Sequence, residues 1–308
     1  MNGVVIKTTG KRYTVKTETG DVVHCRLKGK FRIAGMKSTN PIVVGDKVEV
    51  VQESELWMIV KLHDRKNHIL RKSVNLSKQT HIIAANIDQA ILMITLDSPV
   101  TTTGFIDRFL VAANAYGVEV VLLFNKVDLF ENKLKVKQKN LQQEYEKIGY
   151  TCFATSVISD DLSVIKDLMM GKVNMISGHS GVGKSTMVNY LQPNLHIDTK
   201  EVSDTHNQGQ HTTTFSEMHE LDFGASIIDT PGIRGFGLVE LESAEIGNYF
   251  QEFFVLKSGC KFHNCIHKNE PNCAVKLALE SGEIAESRHK NYLKMLVEEE
   301  EHFRTNDY

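Results

Sequence analysis

The sequence predicts a multidomain α/β protein in three parts: an OB-type β-barrel, a parallel-sheet α/β domain and an α-helical terminal domain. Three observations predict it. Residues 1–68 carry short alternating runs punctuated by glycine. Residues 69–236 hold continuous apolar runs separated by helix-period segments, as a buried parallel sheet requires. Residues 237–308 read as helices around a cluster of Cys and His.

A chain of 308 residues suggests about two or three domains. Its hydrophobic content of 41% and charged content of 24% are those of an ordinary globular protein with ample core material. The formal net charge of −2 excludes a polycation, but the charge is unevenly spread. Residues 1–68 contain 13 Lys/Arg against 7 Asp/Glu, and the run Glu298 to Glu301 makes the far end acidic. No apolar run approaches the ~20 residues of a membrane span. The N-terminus lacks the apolar core of a signal peptide. No membrane partner is expected. Of the five cysteines, Cys25 and Cys152 are scattered and Cys260, Cys265 and Cys273 cluster. That is the usage of an intracellular metal site, not of a disulfide framework.

In the first part, strand-like runs occur at Val4–Ile6, Tyr13–Val15, Val22–His24 and Val48–Val50. Turns are signalled at Gly10-Lys11, Gly20-Asp21, Gly29 and Gly45-Asp46. Several short strands at this spacing predict a small five-stranded barrel of the oligonucleotide-binding kind. Lys11, Arg12, Arg26, Lys28, Lys30 and Arg32 would track a phosphate backbone, or else form a solubilising surface. Trp57 and Phe31 would stack on bases or, more simply, fill the core.

Residues 70–88 read as a connector. Ala90–Thr95 is then a buried strand, and Ile106–Tyr116 a helix with Ile106, Phe109, Leu110 and Ala113 on one face. Val118–Phe124 is a second buried strand, and it runs into Asn125-Lys126-Val127-Asp128. N-K-x-D at the end of such a strand is a guanine-reading signature. Asp128 would accept hydrogen bonds from guanine N1–H and the exocyclic amine. Adenine offers no such donor pair and would leave the carboxylate unpaired. Asn125 would hold the base edge and the neighbouring loops, and the Lys126 stem would lie along the base. A charged helix over 131–149 and a short strand, Thr151–Ser156, follow. Ser156, with Thr155 as rival, is the expected backbone contact to the base. Asp160–Met169 reads as a helix capped by its own Asp/Ser start.

The strongest motif is Gly178-His179-Ser180-Gly181-Val182-Gly183-Lys184-Ser185-Thr186, which fits G-x-x-x-x-G-K-[ST]. Apolar Val173, Met175 and Ile176 precede it, and a helix-compatible run to Leu191 follows. Glycines let successive N–H groups curl toward phosphate oxygens, and the helix start adds its positive end. Lys184 would reach the β- and γ-phosphates, and Ser185 would ligate Mg²⁺. Downstream, Gly209-Gln-His-Thr-Thr-Thr214 offers a switch threonine for Mg²⁺, Thr213 or else Thr212. Asp229-Thr-Pro-Gly232 would hold Mg²⁺ through water at Asp229 and sense the γ-phosphate at the Gly232 amide. The next residue is Ile233, where many such enzymes place a water-orienting Gln. His211 is the internal candidate for that task, with a structural role as its rival. Slow intrinsic hydrolysis, stimulated by a partner that orders the loop, is expected.

In chain order the motifs run base-reader, Thr/Ser loop, phosphate loop, threonine switch, D-x-x-G. Ordinary GTPases begin with the phosphate loop, so residues 69–236 read as a circularly permuted P-loop GTPase domain. The permutation leads the γ-phosphate-sensing loop through Arg234–Gly237 directly into residues 237–308. There Cys260-x4-Cys265-x-His267-x5-Cys273 offers three thiolates and an imidazole, a closed structural Zn²⁺ set, with His263 as an alternative ligand. Helices are expected at Glu242–Leu256, Val275–Ser281 and Glu283–Glu300. Arg288, His289, Lys290 and Lys294 would meet phosphates or form a solvated face.

Asn125–Asp128, Gly178–Thr186, Gly209–Thr214, Asp229–Gly232 and Cys260 with Cys265–Cys273 together give a chain that resembles the ribosome small-subunit-dependent GTPase family, RsgA/YjeQ-like, over essentially its whole length. The resemblance implies a cytoplasmic GTPase that acts late in assembly of the 30S subunit. It implies 16S rRNA near the decoding region as partner, and hydrolysis stimulated by the 30S particle. A monomer suits a partner of that size. A GTP-regulated RNA-binding module with incidental hydrolysis is the competing reading.

Overall fold

The computed structural model describes residues 1–10, 12–28, 41–72, 80–195, 216–229 and 241–305. The barrel is built from β1 (Asn2–Thr8), β2 (Tyr13–Thr17), β3 (Val22–Leu27), β4 (Lys47–Glu53) and β5 (Leu56–Leu62). The strands β1, β2 and β3 form an antiparallel meander, β3 pairs parallel with β5, and β4 returns to pair with β1 at Gly3↔Val48. That closure leaves the five strands no free edge. The inward positions Val5, Val15, Cys25, Val48, Val50 and Ile59 are buried together, and Trp57 packs against them. Trp57 therefore serves the core.

Residues 70–88 differ from the expected plain connector. They carry most of a hairpin, β6 (His68–Lys72) and β7 (Thr80–Ala85), in antiparallel register. Behind it, the buried Asp46 accepts two hydrogen bonds from Arg65, each 2.7 Å, and one from the Val43 amide. This ties the segment that enters β4 to the segment that leaves β5.

The α/β domain runs β8 (Gln89–Ile94), α1 (Thr103–Ala115), β9 (Glu119–Phe124), α2 (Asn132–Ile148), β10 (Thr151–Ala154), α3 (Ser163–Met169), β11 (Val173–Ser177), α4 (Lys184–Leu191), β12 (Glu217–Glu220) and β13 (Ser226–Asp229). The strand order is β10-β9-β8-β11-β13-β12, parallel except for β12. Alternate residues of β8 and β9 enter opposite clusters. Leu92, Ile94, Leu122 and Phe124 face one side, and Ile91, Met93, Val121 and Leu123 the other. Burial on both faces explains the unbroken apolar runs. The chain order reverses between β8 and β11, and open α/β sheets bind ligands beyond the carboxyl ends of the strands at such a reversal. The edge strand β12 meets β1 at Lys7↔Glu217, so the barrel and the α/β domain share one eleven-stranded sheet.

The terminal domain holds α5 (Ser243–Ile246), α6 (Gln251–Leu256), α7 (Ala274–Glu280) and α8 (Glu286–Thr305). The expected helix over Glu242–Leu256 is broken at Phe250, whose backbone is extended. Its buried ring stacks on Phe253 at 4.9 Å and meets Tyr292 edge-on. Core packing of one aromatic outweighs two turns of helical continuity here. The helix expected from Asp160 starts later, at Ser163, because the Asp160 carboxylate is engaged in the preceding loop.

Candidate nucleotide site and metal centre

Among the described residues, the motif loops gather at the carboxyl ends of the strands β9, β10 and β11. Asn125 joins two of them. It is buried, its Nδ2 donates to the Val182 carbonyl at 2.8 Å, and its Oδ1 accepts from the Val157 amide at 3.1 Å. One amide side chain thus fixes the distance between the base-reading loop, the glycine loop and the Thr155–Val157 loop. Lys126 has a left-handed backbone (φ 62°), and its Nζ donates to the Ser98 carbonyl at 2.7 Å. Val127 and Asp128 lie in a short 3-10 turn, with the Asp128 carboxylate exposed at the rim.

The glycine loop needs its glycines. Gly183 has φ 103°, and a Cβ there would stand 2.5 Å from Asn125 Nδ2. Gly178 has φ 140°, and a Cβ there would stand 2.6 Å from the Met93 carbonyl oxygen. Lys184 opens α4 and donates to the Gly178 and His179 carbonyls at 2.9 and 2.7 Å. Its ammonium therefore spans the mouth of the loop. Ser185 and Thr186 follow in the first turn of α4, and Val182 is buried in the core beneath. Ser180 and Gly181 complete the loop, with Pro99 3.7 Å from a Cβ built at Gly181.

In the loop after β10, the Asp160 carboxylate accepts from the Ser156 amide at 2.6 Å and from Thr155 Oγ1 at 3.0 Å. The Ser156 amide, expected to meet the base, is thus held by Asp160, and its hydroxyl is buried without a partner. The same amide bond, first among the causes, holds the Asp160 carboxyl below the usual range. Asp229 ends β13 beside β11, which places its backbone next to the glycine loop. His211, Thr212, Thr213, Gly232 and Ile233 lie outside the described residues, as do Lys11, Lys30, Phe31 and Arg32.

The second site is in the terminal domain. Ligand atoms of Cys260, Cys265, His267 and Cys273 all lie within 4.8 Å of one another. His267 Nδ1 stands 3.7, 3.4 and 3.3 Å from the three sulfurs, and Cys260 Sγ stands 3.9 Å from Cys273 Sγ. Tetrahedral Zn²⁺ with bonds of about 2.0–2.3 Å sets its ligand atoms roughly 3.3–3.8 Å apart, so this donor set fits the ion. Burial lowers the His267 pKa and keeps the imidazole neutral, as a ligand must be. Burial also pushes the Cys265 thiol up to about 12, which a bound cation would reverse. Glu270 shapes the loop by accepting from the amides of Ile266, Lys268 and Asn269 at 2.7, 2.8 and 3.0 Å. His289 Nε2 donates to the His267 carbonyl at 2.9 Å, and the Tyr292 hydroxyl to that of Ile266.

Comparison with known proteins decides the family. Residues 62–239 match the RsgA GTPase model and residues 2–56 the RsgA N-terminal domain. The chain belongs to the RsgA GTPase family. It is a GTP hydrolase of the circularly permuted type. The "Small ribosomal subunit biogenesis GTPase RsgA" of Flavobacterium johnsoniae is 56% identical over 313 residues, covering 100% of this chain and 96% of that one. The RsgA of Bacteroides fragilis is 49% identical over 303 residues, covering 98% of each. Among solved structures, YjeQ from Thermotoga maritima superposes with TM-score 0.80 at 34% identity, covering 97% of this chain and 98% of that one. YloQ, "a circularly permuted GTPase", gives TM-score 0.76 at 28% identity, with 98% and 95% covered.

Sequence reasoning missed one cluster in this RsgA-family chain. Arg288, expected on a phosphate-facing or solvated helix face, is buried. Its Nη1 donates to Asp107 Oδ1 at 2.6 Å, and its Nε and Nη2 grip Glu252 at 2.7 and 2.9 Å. It also lies over the Phe250 ring at 4.5 Å. Burial pushes the Asp107 carboxyl up, against the pull of Arg288, Asn291 and Tyr145, which all donate to it. His289 is buried as well, while Lys290 and Lys294 remain exposed. The signal available in sequence was an Asp on the apolar face of α1, adjacent to Ile106. Its partner sits 181 residues away.

Proposed function

We propose that this GTP hydrolase acts in late maturation of the 30S ribosomal subunit and that the subunit stimulates its hydrolysis. The observation that carries the reading is the Asn125 amide. It joins the Asn125–Asp128 segment to Val182 of the glycine loop and to Val157, within a chain whose named relatives are small-subunit biogenesis GTPases. In this reading Asp128 reads guanine, and Asn125, Lys126, Val127 and Ser156 shape the base side. Gly178 to Thr186 wrap the phosphates. The Lys184 ammonium leaves the loop carbonyls for the β- and γ-phosphates. Ser185 and Thr213 would hold Mg²⁺, which supplies charge neutralisation at the phosphate oxygens. Asp229 and Gly232 sense the terminal phosphate, and His211 orients the attacking water. Cys260, Cys265, His267 and Cys273 would hold one structural Zn²⁺.

The same reading divides the chain at about residues 68 and 236. It assigns 16S rRNA to the barrel and the terminal domain, and it makes the protein a cytoplasmic monomer. Among the described residues no helix is long and apolar enough to cross a membrane. The test is GTP turnover by the full chain with purified 30S particles, 50S particles and neither. Slow turnover alone and a large acceleration by 30S particles only is the expected result. Equal rates in all three would end the proposal. A Lys184→Ala chain that still completed subunit maturation would favour an RNA-binding module with incidental hydrolysis.

A further inference from the structure

The glycine loop is held from outside by α1, and α1 is held by the terminal domain. Phe105, in the first turn of α1, has its ring centroid 4.1 Å from that of His179. In the same stretch of α1, Asn291 Nδ2 donates to Thr103 Oγ1 at 3.2 Å and to Asp107 Oδ2 at 2.6 Å. Asn291 also packs on Gly104, where an added Cβ would lie 3.4 Å from its Oδ1. One turn earlier on α8, Arg288 clamps Asp107 to Glu252 of α6. The next residues of α8, His289 and Tyr292, bond the backbone of the Cys/His loop. An unbroken series of contacts thus joins the metal centre to the glycine loop: Ile266–His267, α8, Thr103–Asp107, Phe105, His179.

We propose that Phe105 is a positioning residue for the glycine loop and that the terminal domain sets its place through Asn291, so that this domain tunes nucleotide affinity. The inference rests on the assignment of Gly178–Thr186 to the phosphates. The physical reason is the composition of the loop. Gly178, Gly181 and Gly183 bring no side chain to anchor it, whereas phosphate-binding amides must sit within about 0.5 Å of their working positions. The His179 ring gives the loop a handle, and Phe105 is packed against it. The segment that Phe105 rides on is fixed at Thr103, Gly104 and Asp107 by one residue of another domain.

The experiment measures the GDP dissociation constant of the full, zinc-loaded chain by calorimetry. The proteins are wild type, Phe105→Ala, Phe105→Tyr, Asn291→Ala and the double Phe105→Ala/Asn291→Ala. Loss of one ring contact predicts about a three- to tenfold weaker affinity for Phe105→Ala. Phe105→Tyr keeps the ring and is expected to keep the affinity. Asn291→Ala is expected to weaken GDP by a smaller factor, and the double variant to be no weaker than Phe105→Ala, because the two act in series. Wild-type affinity in Asn291→Ala, or losses that multiply in the double variant, would overturn the proposal. If Asn291→Ala does not fold, Thr103→Val removes one acceptor of the same link and enters the same cycle with the same criteria. Lys184→Ala separates the two levels. If it binds GDP as wild type does, the assignment of the glycine loop fails, and the link from the tail is not what has been refuted.

Discussion

Asn125 has two polar groups, and both are spent on neighbouring loops rather than on solvent. Asn125→Ala would strand a buried carbonyl and a buried amide, each at a cost of about 1–3 kcal/mol. Guanine-nucleotide affinity should fall by at least about tenfold, measured by calorimetry, with the fold retained. Asp128 differs because its carboxylate is exposed and free to meet a base. Asp128→Asn replaces an acceptor with a donor, which complements the 2-oxo group of xanthine. Paired titrations should show GTP weakened and XTP strengthened, and an unchanged preference would remove Asp128 from the base-reading role. Asp160 carries a pH signature. Its pKa is depressed in the fold, so its hold on the Ser156 amide is complete above the ordinary carboxylate range. The hold is lost as pH falls below that range toward the depressed value. The protection factor of the Ser156 amide, its exchange measured against the free-peptide rate at the same pH, should therefore fall in acid, and Asp160→Ala should reproduce that loss of protection at neutral pH.

At the scale of elements, helix α1 serves two neighbours. Its apolar face packs on β8 and β9, and its Asp107 is committed to α8 and α2 through Arg288, Asn291 and Tyr145. Arg288→Met would leave Asp107 without its guanidinium and Glu252 without a partner for either oxygen. Breaking a buried pair from one side costs about 3–5 kcal/mol, so a large drop in the urea midpoint is expected. A variant as stable as wild type would mean that water or rearrangement replaces the pair. The break between α5 and α6 follows the same rule. The apolar periodicity of Glu242–Leu256 is real, but Phe250 leaves the helix to stack on Phe253 under Arg288. Periodicity reports which residues are buried, and a single aromatic can be buried more completely outside the helix.

At the scale of the whole molecule, the terminal domain shares one continuous apolar core with α1 and the sheet face beneath it, whereas the barrel joins through strand pairing and polar contacts. Barrel and α/β domain share a sheet at Lys7↔Glu217, reinforced by the Lys7–Glu217 and Lys16–Glu220 ion pairs. Those pairs are half exposed and worth about 0–1 kcal/mol each, so the strand pairing and the hydrogen bonds from the Ala85 amide and Asn86 Nδ2 to the Val44 and Gly45 carbonyls carry the union. The terminal domain contributes Phe250, Phe253, Val275 and Tyr292 to that shared core, and the Cys/His set packs against it at Phe253. Chelation at neutral pH should release one Zn²⁺ per chain and reduce helical circular dichroism while barrel amides stay protected from exchange. Retained helical signal after complete metal removal would contradict a structural role. The ligands must be deprotonated to bind, so the metal should be released more readily as pH falls.

Short-range patterns announced most of the architecture and supplied the candidate site motifs. Asn125–Asp128, Gly178–Ser185 and the Cys/His spacing could be read because each motif is local. Its chemistry needs particular residue types a few positions apart, and that need is written directly in the chain. The turnover of motif order was legible for the same reason. What the amino-acid order left undecided was every pairing across long separations. Asp107 and Arg288 each look like ordinary helix residues, and the hairpin at His68–Ala85 looked like a linker. Ser156 was expected to offer its amide to the base, and the fold gives that amide to Asp160. Only the folded chain could decide these, because a buried charge is tolerated where a partner from a distant segment meets it, and no local pattern records that meeting.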